Sequence, residues 1–152
     1  HCTAPVFIDP VSTVKAEKLR GLLGRVHTLK PNRIEAELLS GVTITDDESL
    51  RQAAQALLDQ GVQRVFLSLG GDGVLAAQQD EMQRVPICRA EMRNATGAGD
   101  AMMAALVWSF LSGRSLTESA ASGTAAAAIA VESEETINPA MSAEAVEKRL
   151  AH

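Results

Sequence analysis

Tyrosine is absent from this 152-residue chain, and aromatic side chains of any kind make up only 3% of it, one Trp and three Phe. A surface that stacks on nucleic-acid bases needs aromatic platforms, so that class of partner is disfavoured. Basic clusters are missing too. Lys and Arg total 14 against 19 Asp and Glu, a formal charge of −5, and no stretch concentrates enough positive charge for a polyphosphate backbone or an anionic membrane. Cysteine is scarce: Cys2 and Cys88 lie far apart, with no second Cys or His at ligand spacing. A zinc centre or disulfide framework is therefore not expected, and a reducing, cytoplasmic setting is. The longest apolar stretch, Ala101 to Leu111, is too short to cross a bilayer, and no signal peptide is legible. The chain starts without Met and enters a strand-like run, Pro5-Val6-Phe7-Ile8-Asp9, almost at once. That leads us to expect a piece of a longer protein.

What remains is ordinary for a globular domain: 46% hydrophobic and 22% charged residues, enough to bury one core. Val6-Phe7-Ile8 reads as a buried strand, and Ser12 as the cap of a helix running to about Leu23. Val26 to Leu29 suits a second strand, with His27 inside it. Ile34, Leu38 and Leu39 mark a short helix that stops at Gly41, and Thr45-Asp46-Asp47-Glu48 opens another that runs to Gln60. Val65 to Leu69 is the clearest strand, followed by shorter ones at Val74–Ala77 and Gln83–Ile87. The helix from Ala98 to Leu111 is apolar almost all round, which predicts burial. A small-residue helix over Thr117–Val131 and an exposed one from Ser142 to Leu150 complete the chain. Strands alternating with helices indicate an α/β fold with a mostly parallel sheet, in which ligands sit beyond the carboxyl ends of the strands.

Three loops carry candidate chemistry. Asn94-Ala95-Thr96-Gly97-Ala98-Gly99-Asp100 is a glycine-rich turn opening an apolar helix. Its free N–H groups at the positive end of the helix dipole suit a phosphate-like anion. A carboxylate inside an anion site is electrostatically odd unless it has a task, so Asp100 is the candidate catalytic base. The turn lacks the third glycine of a dinucleotide fingerprint and the Gly-Lys-Ser/Thr of a P-loop. Asn32-Arg33-Ile34-Glu35 puts an amide and a carboxylate on one helix face, where they can hold Mg²⁺ through its waters or simply form a solvated surface. Ser68-Leu69-Gly70-Gly71-Asp72-Gly73 lets backbone pass close to a ligand, or makes a tight turn between strands.

In this order the three resemble the motifs of the ribokinase-like, or PfkB, family of carbohydrate and nucleoside kinases: the C-terminal Asp-Thr-Thr-Gly-Ala-Gly-Asp signature, the Asn-x-x-Glu motif and the Thr/Ser-x-Gly-x-x-Gly nucleotide loop. The resemblance implies a three-layer α/β/α fold, of which residues 1–152 would be the C-terminal, nucleotide-binding part. It implies ATP-dependent phosphorylation of a nucleoside or sugar hydroxyl. Asp100 would take the hydroxyl proton, and Gly97, Ala98 and Gly99 would offer N–H groups to the transferred phosphoryl. Asn32 and Glu35 would organise Mg²⁺ and the phosphate tail, Ser68, Gly70 and Gly73 would line the nucleotide, and Thr124 would lie at adenine. Asn94 stands where most of the family has Asp. In many members that region helps to hold a monovalent cation such as K⁺, with backbone oxygens from around Ala130 and Ser133, and the resemblance leaves the Asn94 amide oxygen as a ligand for it. The Asn94 variant, Phe7–Ser12 and Leu29–Glu37 look most like the bacterial pseudouridine kinases.

The family's N-terminal half, with its sugar-binding residues and lid, has no counterpart here, so this stretch alone is expected to be inactive. An exposed strand edge makes self-association an expectation as well. The rival reading is a non-catalytic nucleotide-binding module, which Asn94 favours and the intact Gly-Ala-Gly-Asp disfavours. His1, His27 and His152 read as structural or incidental, Met102, Met103 and Trp108 as core, and Cys88 as a small buried residue. Glu132, Glu134 and Glu135 read as a solvated loop, with flanking of the cation site as the alternative.

Overall fold

The computed structural model describes residues 3–152; the expectations for His1 and Cys2 lie outside them. Its first three strands, β1 (Phe7–Ile8), β2 (Thr28–Leu29) and β3 (Arg64–Ser68), run parallel, with Ile8 opposite Leu29 and Leu29 opposite Val65. β4 (Val74–Gln78) turns back antiparallel on β3, and β5 (Glu81–Val85) closes the order β1-β2-β3-β4-β5. The sheet is thus mixed, its parallel part confined to β1–β3. The change of direction follows from loop length: only residues 69–73 separate β3 from β4, too short for the crossover that a parallel partner needs. Gln79-Asp80 makes the next turn, with Asp80 at φ 64°, a left-handed conformation that Asp tolerates better than most residues.

The helices are α1 (Thr13–Glu17), α2 (Arg33–Ser40), α3 (Asp47–Asp59), α4 (Ala98–Leu111), α5 (Leu116–Val131) and α6 (Ala143–Leu150). The described chain divides into two compact units. One holds the chain up to Gly70 with Val74–Arg84; the other holds Gly71–Gly73 and Val85–His152. The first is built on Leu29, Val65, Leu67 and Leu75 of the sheet, with Ala36 and Leu39 of α2 and Leu50, Ala53, Ala54 and Leu57 of α3. The apolar residues of α3 recur at helical spacing. Asp46 and Ser49 close a reciprocal capping box at its start, which accounts for a boundary legible from sequence. The second unit packs Ala105 of α4, Ala125, Ala126 and Ile129 of α5 and Val146 of α6. A Cβ on Gly123 would stand 3.0 Å from Met102 Cγ, so the missing side chain lets α5 lie close against α4.

Four expectations need correction. The first helix ends at Glu17 rather than Leu23, because only Ala16 of it is buried. The chain then turns through Gly21 at φ 81° and carries Gly24 against Gly61, where a Gly61 Cβ would lie 2.7 Å from the Gly24 Cα. His27 precedes β2 instead of lying within it. Its ring stacks on Phe7 at 5.5 Å, and its Nδ1 lies 2.8 Å from Thr28 Oγ1. The last short strand is Glu81–Val85, not Gln83–Ile87, since the hairpin turn at Gln79-Asp80 sets its start and Pro86 has no N–H to extend the ladder. Finally, α4 buries one face only, Met102, Ala105, Leu106 and Ser109, and Leu111 is 77% exposed. The helix buried nearly throughout is α5, whose small side chains bring neighbouring backbone close.

Candidate active site

In the first unit the carboxyl ends of β1, β2 and β3 gather polar residues. Pairing continues past β2 as a parallel bridge between Asn32 and Ser68, and Ser68 N–H donates to Pro31 O at 2.9 Å. The starts of two sequence motifs are thereby neighbours. Asn32 caps α2, its Oδ1 accepting the Glu35 N–H at 2.9 Å, which places Glu35 one turn into the helix. Glu35 is only 3% exposed, and its Oε2 has no hydrogen-bond partner. Burial pushes its carboxyl up from the ordinary value, with the Asp9 charge adding to the effect; the Asn32 backbone and the Lys30 charge pull the other way.

Sequence reasoning missed the neighbours of Glu35. Lys30, itself buried, pairs with Asp9 at 2.9 Å. The signal was available, since Asp9 and Lys30 each follow a strand, and the Ile8–Leu29 register carries them to the same edge. Gly70, at φ 58°, starts a tight turn over Gly70–Asp72.

In the second unit, Gly73 stands at φ 88°, and a Cβ there would meet Val85 O at 2.2 Å. The Gly97–Asp100 turn opens α4 as expected. The other α-helices begin behind a capping side chain, Ser12, Asn32, Asp46, Ser115 or Ser142. α4 begins at Gly97, at φ 88°, with no side-chain cap. The first N–H groups of a helix have no partner within it, so Ala98, Gly99 and Asp100 present donors where the dipole favours an anion. Asp100 is exposed in that first turn and carries a side chain with no partner among the described residues.

Thr124 is buried in α5, its hydroxyl donating to Ala121 O at 2.9 Å and lying 3.7 Å from Cys88 Sγ. Cys88 is half-buried rather than buried, because it lies in the loop after β5. Asn94 accepts the Thr96 N–H and donates to Glu134 O. Of the three acidic loop residues, Glu132 is not merely solvated. It forms a two-point pair with Arg149 of α6, which holds its carboxyl below the usual range. The Arg guanidinium fork matches a carboxylate in this way.

Among the described residues no group of three or more His, Cys, Asp or Glu is arranged to hold a metal ion. Among the described residues, too, no helix is long and apolar enough to cross a membrane. Glu35 Oε2 is a buried carboxyl oxygen with no hydrogen-bond partner among the described residues, an oxygen donor of the kind that Mg²⁺ prefers and holds through its waters.

Comparison with known proteins gives this geometry a context. The chain is 41% identical over 140 residues to the pseudouridine kinase of Escherichia coli, covering 91% of this chain and 44% of that one. Arabidopsis thaliana ribokinase complexed with ribose and ATP superposes with a TM-score of 0.82 at 27% identity, covering 98% of this chain and 48% of the other. Escherichia coli phosphofructokinase-2 in complex with potassium gives 0.75 at 26% identity, covering 91% and 43%. The chain therefore spans less than half the length of these relatives, and it shares their ribokinase-like α/β fold. The pattern of the pfkB family carbohydrate kinases matches residues 1–143, and the chain belongs to that family.

Proposed function

We propose that this chain is the ATP-binding part of a kinase that phosphorylates a hydroxyl of a nucleoside or sugar, with pseudouridine as the acceptor of first choice. The observation that carries the reading is the bare start of α4 with Asp100 exposed in its first turn. Phosphoryl transfer asks a protein for positioning and for stabilisation of charge on the equatorial oxygens. Unclaimed N–H groups of Ala98 and Gly99 supply the second. Asp100 takes the proton of the acceptor hydroxyl as its oxygen bonds to the γ-phosphorus and the bond to the ADP oxygen breaks. A carboxylate is adequate as the proton acceptor when the proton leaves late in a loose transition state.

Asn32 and Glu35 would hold Mg²⁺ through its waters, and the ion when bound neutralises charge on the phosphate chain. Ser68, Gly70 and Gly73 line the nucleotide in this reading, and Thr124 lies on the adenine side. The pseudouridine preference is supported by the 41% identity to the Escherichia coli enzyme.

Coupled ADP release by the intact polypeptide carrying this sequence, with Mg-ATP and pseudouridine, uridine, ribose or a fructose phosphate, tests the proposal. Turnover with one acceptor, pseudouridine foremost, is expected. ATP binding without turnover on any of them would instead establish a non-catalytic nucleotide module.

Glu35 yields a prediction of its own. A carboxyl whose pKa is raised on folding binds its proton more tightly in the folded state. Its contribution to stability is therefore present at low pH and lost as the pH rises through the raised value. Glu35→Gln should raise the unfolding midpoint at neutral pH, with the gain vanishing in acid, while the KM for Mg-ATP rises. Urea titrations at several pH values check the first part and initial rates the second. A variant less stable than the parent at neutral pH would show that the buried carboxylate is better compensated than its unpartnered oxygen indicates.

A further inference from the structure

The family resemblance attaches a monovalent cation to Asn94 and to backbone oxygens from around Ala130 and Ser133, at the end of α5 and in the loop that follows it, and the side chains present can be tested against that ion. The Asn94 amide has both ends engaged. Its Oδ1 accepts the Thr96 N–H at 2.9 Å, which fixes the amide's orientation because a backbone N–H only donates. Its Nδ2 then donates to Glu134 O at 3.2 Å. The same two segments are joined by the Arg93 and Asn94 N–H groups, which donate to Val131 O at 2.7 and 3.1 Å. Further along, a Cβ on Gly97 would come within 2.7 Å of Thr136 O. The loop over residues 132–136 thus lies directly against the turn that opens α4. The Nδ2–H directed at the Glu134 carbonyl occupies the space between side chain 94 and that oxygen, where a cation shared by the two would have to sit, and it presents a donor where such a cation needs a ligand oxygen.

We propose that the Asn94 side-chain amide replaces the monovalent cation, tethering the 132–136 loop to the Gly97–Asp100 turn, so that the protein works without potassium. Asn94 is in this sense a positioning residue. An aspartate at the same place would set a carboxylate oxygen against the Glu134 carbonyl, acceptor against acceptor, and only a cation between them would relieve the repulsion. The proposal deepens the kinase reading and rests on it for its catalytic part. The tether itself stands on the geometry alone.

The test compares the intact polypeptide with its Asn94→Asp and Asn94→Ala variants in potassium chloride and in tetramethylammonium chloride at equal ionic strength. Thermal unfolding is measured in every case, and kcat wherever turnover is found. For the parent, both quantities should be the same in the two salts. Asn94→Asp should lose unfolding midpoint and about tenfold in kcat without potassium and recover both with it. Asn94→Ala should be impaired equally in both salts. A parent protein stabilised by potassium as much as the Asp variant would overturn the proposal, as would an Asp variant indifferent to the cation.

Titration of the parent with thallium(I), followed by thallium NMR, covers the case in which the variants do not fold. No saturable bound signal is expected, and a saturable one refutes the replacement. Because unfolding and thallium binding need no turnover, a protein that fails as a kinase while meeting these expectations separates the two proposals.

Discussion

Asp100→Asn should lower kcat by about 10²–10⁴-fold, the range that a positioned general base contributes, and leave ATP affinity little changed. The substitution keeps the size of the side chain and its place in the first turn of α4, and it removes only the ability to accept a proton. No described residue pairs with the Asp100 side chain, which is exposed, so its loss breaks no structural bond and the fold should be indifferent. Its removal from the mouth of an anion site should, if anything, favour the ATP phosphates by lifting a like-charge repulsion. The measurement is a pair: initial rates with saturating acceptor, and calorimetric titration with ATP. An Asn variant that retains kcat would remove Asp100 from the chemistry, and one that loses ATP binding would make it a ligand-positioning group instead.

The second large effect is expected at Gly73. Gly70 and Gly73 sit in one loop and both take left-handed backbone, at φ 58° and φ 88°, yet their surroundings differ. A Cβ added at Gly70 meets nothing within 4 Å, and one at Gly73 meets the Val85 carbonyl oxygen at 2.2 Å. Gly70→Ala should therefore cost only the left-handed penalty of about 1–2 kcal/mol. Gly73→Ala adds a clash with backbone that has no rotamer to escape into, and it should exceed about 4 kcal/mol, among the largest single-site losses. Urea unfolding of the two variants side by side distinguishes them. Equal losses would mean that the β5 end moves freely and that the loop is not clamped as described.

Sequence reading was most successful where boundaries are set by local chemistry. Gly41 ends α2 in left-handed conformation, and Ser12, Asp46 and Ser142 cap the helices that follow them. Such signals lie within four residues of the feature they cause. The misreadings arose where distant parts of the chain decide. The run from Ser12 to Leu23 has helical propensity, but it has too few residues to bury and a crossing at Gly61 to make. The all-round apolar pattern of α4 was legible, and its one-sided burial was not, because composition does not say how much of a helix its neighbours cover.

The candidate site residues show the same division. Asn32, Glu35 and the Gly97–Asp100 turn announce themselves by spacing, whereas the Asp9–Lys30 pair depends on strand register. The link from Glu132 to Arg149 joins loop to helix across the fold of the second unit, and no local pattern encodes it.

For a protein engineer seeking heat tolerance, α4 offers a misleading invitation. A helix without a capping side chain is the standard place to add serine or aspartate, for a gain of about 1 kcal/mol. Here a capping oxygen would consume the N–H groups that the proposed function offers to the phosphoryl group. The backbone at Gly97 also resists the exchange, with φ at 88° and a carbonyl oxygen already 2.7 Å from where a Cβ would stand. On the proposed function, the uncapped helix end is where the catalytic capacity would be stored, and a library screened for thermal survival alone would select against it.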